Sequence, residues 1–532
     1  MPRPLRLAGI AASGGYTAGP LFHADRAVAG YVAKGSAQAE AEALRKAVAV
    51  AARAIDELIA ASPGEAAAIL EFQLAMLEDD ALVGPALEAI QAGATAYEAW
   101  GAELDGEIAG YETADDEYFK ARAADLRDIR QHVLSTLSGQ VETVAPPGAI
   151  LCADDIAPTL FLRTDWSKGG GIALARGSPA SHVAMLARAR GVPMVVGFGE
   201  KLAGAAGFAL LDAEHGKIVL APAEADLRDF RAASNAFDAA KARASDFLAR
   251  SAVTADGTTI RVHVNIAEPA EVDAIDIDHC DGVGLMRTEF LFDATLPDEE
   301  TQFRAYRKVL EWAKGKPVAI RTVDAGGDKP VAGYTVDEGN PFLGLRGIRL
   351  SLSRPEIFRV QIRALLRAAA HGNLKVMLPM VAIADEYRKA SELFTEEADL
   401  LSRAGVDHGT PPLGIMIEVP AAAIAPDEFS EAAFFSIGSN DLTQYVMAAA
   451  RDNGAVAALN AIGNPAVQRL IAGVVAYGDI GGIPVSLCGD AGGDPAAIPA
   501  LLAAGLRDLS VAPAQLAAAK AAIAAVSLES VS

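Results

Sequence analysis

Cysteine is nearly absent from this chain: Cys152, Cys280 and Cys488 are the only three in 532 residues. Three thiols cannot build a disulfide framework, which excludes the small stapled folds of secreted proteins and indicates a reduced, cytoplasmic setting. Long hydrophobic runs are also missing. No stretch of eighteen apolar residues occurs, so a membrane-spanning helix is excluded. The opening MPRPLRLAGIAASGG puts arginines ahead of small apolar residues, but Gly and Ser interrupt it before a signal-peptide core forms. Basic residues are outnumbered, with 46 Lys and Arg against 69 Asp and Glu and a formal net charge of −23. That balance argues against a nucleic-acid partner, which requires a basic footprint. Aromatics supply only 6% of the residues, so much of the 52% hydrophobic content is Ala in helical tracts. With 22% charged residues the composition is that of a folded protein with large cores. At ~150 residues per domain, the length suggests about three or four domains.

Two parts of the chain, 5–22 and 149–220, read as short strands, turns and one compact helix. Apolar runs such as GAILCA (148–153), GIALA (171–175) and VPMVVG (192–197) are bounded by Gly, Pro and Asp, and 208–221 reads as a hairpin. The block between them is different. From Ser36, Leu44, Val48, Ile55 and Ile59 recur at helical spacing until Ser62-Pro63-Gly64, and further helices end with Phe119, Leu126, Ile129, Val133 and Leu137 before Gly139. The pattern predicts a small α/β domain (1–32 and 141–222) with a helical subdomain (33–140) inserted. Between Glu65 and Asp128 there are 16 acidic residues against Lys120, Arg122 and Arg127, so this window holds 13 of the 23 excess negative charges. A solvated helical surface accounts for such a charge run; so does a landing site for a basic protein.

Residues 223–251 are polar and Ala-rich without a helix breaker, predicting a spacer helix ~43 Å long at 1.5 Å per residue. From 253 to 532 the pattern becomes apolar strands alternating with helical stretches. Eight strands are predicted: 260–266, 282–286, 317–323, 374–380, 413–419, 433–439, 483–489 and 508–512. Eight βα units in a segment of this length predict a TIM (β/α)8 barrel.

In that fold the chemistry sits at the C-terminal strand ends. Those ends carry Arg287, Arg321, Asp324, Glu418, Asn440, Asp441 and Cys488. One such residue is readily a rim salt bridge. Several falling together in register with the fold read as a site. Guanidiniums pair bidentately with carboxylate and phosphate, so the arginines suit a substrate with several anionic oxygens. Glu418 and Asp441 are hard oxygen donors, the usual environment of Mg²⁺ when substrate phosphate completes the shell. No His/Cys cluster has the spacing of a zinc site. A second candidate lies in the α/β domain, where GSPASHVAMLAR (177–188) places His182 at the start of a helix whose apolar face carries Val183, Leu186 and Ala187. The exposed N–H groups at that terminus would stabilise an attached phosphoryl group. A plain capping role is the alternative.

Several segments together carry a resemblance that covers the chain nearly end to end. They are DDEYFKARAADLRDI (115–129), SHVAMLARARGVPMVVG (181–197), GVGLMRTEFLF (282–292), IRTVDAGGDK (320–329), NPFLGLRGIRL (340–350), IMIEVPAA (415–422) and FSIGSNDLTQY (435–445). The chain resembles the Enzyme I family of the bacterial phosphotransferase system, which transfers phosphate from phosphoenolpyruvate to protein. The resemblance implies a swivelling phosphohistidine domain with a helical insertion, a linker helix (223–252) and a phosphoenolpyruvate-binding TIM barrel (253–532). It implies that His182 is phosphorylated at Nε2 and that Arg287, Arg321, Asn440, Asp441 and Arg451 contact phosphoenolpyruvate. Glu418 and Asp441 are implied as Mg²⁺ ligands, Cys488 as the proton donor, and Arg346 as a further residue on the phosphate side. It also implies that the phosphocarrier HPr, or an HPr-like domain, docks on the acidic insertion, and that the barrels pair in a homodimer. An ATP-driven dikinase or synthase relative and a catalytically silent regulator are the alternatives; retention of every residue with a role argues against the second. Three positions depart from the family pattern: the loop Gly177-Ser178-Pro179-Ala180, Ala450 ahead of Arg451, and Gly14 in the opening strand. None removes a residue with an implied chemical role.

Overall fold

A computed structural model of the chain describes residues 4–528 except 25–29, 62–64, 114–116, 140–143, 178, 180, 203, 293–295, 328–330, 332, 337, 451–455 and 457–458. The chain divides into two compact units, Met1–Asp238 and Ala239–Ser532.

The first unit is built on one mixed sheet. Its strands are β1 (Leu5–Ala8), β2 (Ile10–Ser13), β3 (Tyr16–His23), β4 (Ile150–Ala153), β5 (Gly171–Leu174), β6 (Met194–Val196), β7 (Phe208–Asp212) and β8 (Lys217–Leu220), in the order β1-β8-β7-β3-β4-β5-β6-β2. The four strands β3 to β6 run parallel, and the flanking pairs are antiparallel. The short apolar runs are the central strands because only a strand covered on both faces can be apolar at every position; β5 and β6 are buried throughout. The predicted hairpin is β7 and β8, with Ala209 opposite Leu220.

Between β3 and β4 the chain forms five helices: α1 (Ala37–Ala61), α2 (Glu65–Glu78), α3 (Asp80–Gln91), α4 (Ala96–Thr113) and α5 (Glu117–Leu137). Leu44, Val48, Ala51 and Ile55 form the buried stripe of α1, at the three- and four-residue spacing of one helix face. Strand alternation explains how the insertion is held. Leu151, Ile172 and Met194 point to one face and share a single core with Trp100, Leu104, Leu126 and Val133 of the helices. Ile150, Cys152, Ala173 and Val195 point to the other face and pack with the hairpin strands. Helices and sheet are therefore fused by a common core. Two more helices of this sheet follow, α6 (Pro158–Arg163) and α7 (His182–Arg190).

The predicted spacer is shorter than the sequence suggests. Helix α8 runs from Glu224 to Ser245 rather than to 251. The N–H groups of Asp246, Phe247 and Leu248 reach back only three residues, tightening the chain into turns. The carbonyls of Leu248 and Arg250 then accept the Lys520 ammonium at 2.8 and 2.7 Å, and that of His279 accepts it at 2.6 Å. Lys520 is buried, and burial lowers its pKa. A tertiary contact thus overrides helix propensity.

The second unit is the expected barrel. After a two-residue strand β9 (Ala252–Val253) come β10 (Thr259–Ile266), β11 (Val283–Met286), β12 (Val318–Arg321), β13 (Leu374–Leu378), β14 (Leu413–Ile417), β15 (Phe435–Gly438), β16 (Val485–Cys488) and β17 (Asp508–Val511). Each of the eight lies in a predicted segment or within one residue of it. Neighbours pair in parallel from β10 to β17, and β17 pairs with β10 to close the ring. Outward residues such as Val262, Ile320, Ile415 and Leu509 pack beneath the helices. Inward ones fill the bore: Leu285, Ala319, Met377, Met416, Phe434 and Cys488. The centre is packed, so any ligand is confined to the mouth. Among the described residues no helix is long and apolar enough to cross a membrane.

Candidate active site

His182 opens α7, as its sequence position predicts. Ser181 caps the helix, its side chain accepting from the Ala184 N–H at 3.3 Å, and Gly191 ends it in a left-handed conformation (φ 65°). Val183, Leu186 and Ala187 are buried, so the helix is held by its apolar face while His182 keeps 24% of its side chain exposed. Its Nδ1 lies 3.7 Å from Oδ1 of Asp125, a fully buried carboxylate on α5. That is beyond hydrogen-bond length, so the pairing is electrostatic. Sequence reasoning missed Asp125: it counts among the sixteen acids between Glu65 and Asp128, and only folding shows it turned inward. Two of the loop positions that depart from the family pattern, Ser178 and Ala180, lie outside the described residues.

At the barrel mouth the structure gathers four of the expected residues into one buried cluster. Arg321, Arg346, Glu418 and Asp441 are all buried. Asp324, also buried, joins the two arginines. It takes Arg346 Nε and Nη2 at 3.0 Å each and Arg321 Nη1 at 3.1 Å. Arg321 also donates to Glu289 Oε1 at 3.2 Å. Its Nε is buried and bonded to no described residue. Arg346 is more committed, pairing with both Asp441 oxygens at 3.3 and 3.1 Å and with the Tyr445 hydroxyl at 3.1 Å. Burial works against both guanidinium charges, but the surrounding carboxylates outweigh it and hold both pKa values above the usual range.

Glu418 is the unbalanced group. It is 1% exposed and makes no ion pair with a described residue; its Oε1 accepts the Met380 N–H at 2.6 Å. Burial first, then Asp441 and Asp324, push its carboxyl well above the ordinary carboxylate range. Met380 donates from a backbone with φ 57°, a left-handed conformation uncommon outside glycine. Gly438, opposite, leaves no room for a side chain: a Cβ there would lie 2.9 Å from Glu418 Oε2. A buried carboxylate in no ion pair with a described residue, beside a second one, is a donor set that fits a hard divalent cation. No group of three or more His, Cys, Asp or Glu among the described residues is placed to hold a metal.

Cys488 ends β16 and faces the bore. It is 3% exposed, and burial pushes its thiol up to about 11, partly offset by a hydrogen bond that Ser436 donates to Sγ at 3.1 Å. The side chain therefore stays a thiol at neutral pH, which is the form a proton donor needs. Arg287 follows β11 and is exposed. Asn440 exchanges two 3.1 Å bonds with Asp490, on a cavity of about 310 Å³ that also includes Ser439, Thr443 and Asp494. Arg451 lies outside the described residues.

A barrel whose mouth gathers buried arginines and carboxylates invites comparison with known families. The model described as the PEP-binding domain of PEP-utilising enzymes matches residues 241–528, more than half of the chain. The chain belongs to the PEP-utilising enzymes. The family's N-terminal domain matches 8–122, and its mobile domain, at 145–216, contains His182. Among curated relatives, the phosphoenolpyruvate-protein phosphotransferases of Bacillus sp. (strain S) and Geobacillus stearothermophilus are each 38% identical over 96% of this chain and 92% of their own. An NMR structure of an Enzyme I protein is 25% identical and covers 44% of this chain and 99% of its own, with a TM-score of 0.35. In this PEP-utilising enzyme, then, Arg321, Arg346, Glu418, Asp441 and Cys488 lie in the matched PEP-binding domain.

Proposed function

We propose that the enzyme takes the phosphoryl group of phosphoenolpyruvate onto Nε2 of His182, passes it to a histidine of HPr or an HPr-like domain, and releases pyruvate. The observation that carries this reading is the buried mouth cluster, where Arg321 Nε bonds to no described residue and Glu418 makes no ion pair with one. Both are complementary to an anion arriving with a divalent cation.

The chain's own residues account for the chemistry. Arg321 and Arg287 hold the carboxylate and phosphate, with Asn440 and Arg451 completing the contacts. Arg346 fixes Asp441 as well as facing the phosphate. His182 attacks phosphorus in line, the P–O bond breaks, and the electron pair leaves as an enolate stabilised by the guanidiniums. Cys488 delivers its proton to the enolate carbon. Mg²⁺, held by Glu418 and Asp441, would supply charge neutralisation at the phosphate and enolate oxygens when bound. Because His182 and the mouth lie in different units, turnover requires the histidine-bearing part to swivel between substrate and carrier. The division proposed is 1–32 with 141–222 for the histidine, 33–140 for the carrier, 223–252 as linker and 253–532 for the substrate.

Carrier docking on the helical insertion is supported by its exposed acids, among them Glu71, Glu78, Asp79, Asp80, Glu98 and Glu107. Asp125 and Asp128 are buried and take no part in that surface. Pairing through the barrel is supported by exposed apolar side chains on the segments between strands: Val336, Leu343, Leu345, Ile383, Ile424 and Leu459. The test is incubation with labelled phosphoenolpyruvate, Mg²⁺ and HPr. Label should pass to HPr with stoichiometric pyruvate. Transfer to HPr should slow steeply with salt, since exposed charges are screened over ~10 Å at 0.1 M, while self-phosphorylation changes much less. Equal salt response of both steps would remove the insertion as the docking site.

A further inference from the structure

Leu285, Ala319, Met377, Met416 and Phe434 pack in the bore with Cys488. Ser436 brings a hydroxyl against the thiol. Ser436 on β15 is 1% exposed, and among the described residues its only side-chain hydrogen bond is the one it donates to Cys488 Sγ at 3.1 Å. Taking a hydroxyl out of water is unfavourable unless it is well bonded, and a thiol sulfur is a weak acceptor. For packing alone, alanine would serve better. The bond makes sense for a sulfur that becomes an anion, because hydrogen bonds to charged acceptors are roughly twice as strong as neutral ones.

We propose that Ser436 is a positioning residue for the thiol: it directs the Cys488 S–H away from the strand interface and stabilises the thiolate left after proton delivery. The inference rests on the reading of Cys488 as the proton donor. In the step, the Cys488 S–H bond breaks as a C–H bond forms on the enolate carbon of enolpyruvate. The electron pair stays on Sγ, where the Ser436 hydroxyl donates to it. Water returns the proton to sulfur before the next turnover. Phosphoryl transfer to His182 precedes this step and does not need the hydroxyl.

The two steps separate the roles. In Ser436→Ala, single-turnover labelling of His182 should keep its wild-type rate, while enolate protonation slows about tenfold, the order expected when one bond to a developing charge is lost. Protonation is followed as deuterium entering the methyl group of pyruvate from D₂O. Ser436→Thr, which keeps the hydroxyl, should restore the rate. The S–H stretching band of Cys488, isolated as the difference between wild type and Cys488→Ser, should shift in Ser436→Ala and return in Ser436→Thr. Wild-type protonation and an unmoved band in Ser436→Ala would overturn the proposal, as would equal loss in both steps. If Cys488→Ser itself protonates at the wild-type rate, the donor reading falls and the proposal with it. Slow Cys488→Ser with normal Ser436→Ala overturns the proposal alone.

Discussion

Arg321→Lys should lower phosphoryl transfer from phosphoenolpyruvate by at least ~10²-fold, the loss typical of removing one preorganised charge-stabilising donor. The reason lies in how the guanidinium is spent. Nη2 is held by Glu289 at 3.2 Å and Nη1 by Asp324 at 3.1 Å, while the buried Nε bonds to no described residue. A planar fork can keep both carboxylates and still present a third donor. An ammonium is a point charge on a flexible stem and cannot span the three positions. Binding of phosphoenolpyruvate should weaken less than the rate, because charge grows on the leaving enolate only in the transition state. Single-turnover labelling, with thermal unfolding run in parallel to show that the fold survives, measures this directly. A near-normal rate would make Arg321 a structural ion pair.

Cys488→Ser should produce an enzyme that labels His182 but turns over poorly. If Cys488 only packs the bore, the serine costs a little stability and touches every step alike. As the acid it separates them, since labelling needs only the P–O bond broken, whereas pyruvate formation needs a proton on carbon. A serine hydroxyl is a far weaker acid than the thiol, even one that burial has pushed up to about 11. Protonation should fall by roughly 10²-fold or more, in the range usual for losing a general acid. Substrate binding should persist. Deuterium entering pyruvate with unchanged rate and stereochemistry would remove Cys488 from the mechanism.

Much of this was legible in the sequence, for a physical reason. Strands covered on both sides must be apolar along their length, so the eight barrel strands stand out as short runs between Gly, Pro and Asp. Once the barrel is read, strand-end polar residues such as Arg321, Glu418 and Asp441 are marked by fold geometry. What stayed hidden depends on closeness between residues far apart in the chain. Asp125 looks like one more surface acid until α5 turns it against His182. Asp324 was visible at a strand end, but not its capture of both arginines. Met380 looks like a core residue; its positive φ, and the N–H it aims at Glu418, are consequences of the closed barrel. Helix α8 stops early because Lys520, 270 positions away from Arg250, takes the carbonyls beyond its end. No local pattern carries that information.

The proposed reaction depends above all on phosphorylation of His182 by phosphoenolpyruvate. Phosphorus NMR of the chain after mixing with phosphoenolpyruvate and Mg²⁺ tests it most directly. One P–N resonance per chain is expected, on Nε2, that disappears when HPr is added and is absent in His182→Ala, although that variant still binds phosphoenolpyruvate. A phosphoryl signal persisting in His182→Ala, or arising at another residue, would contradict it.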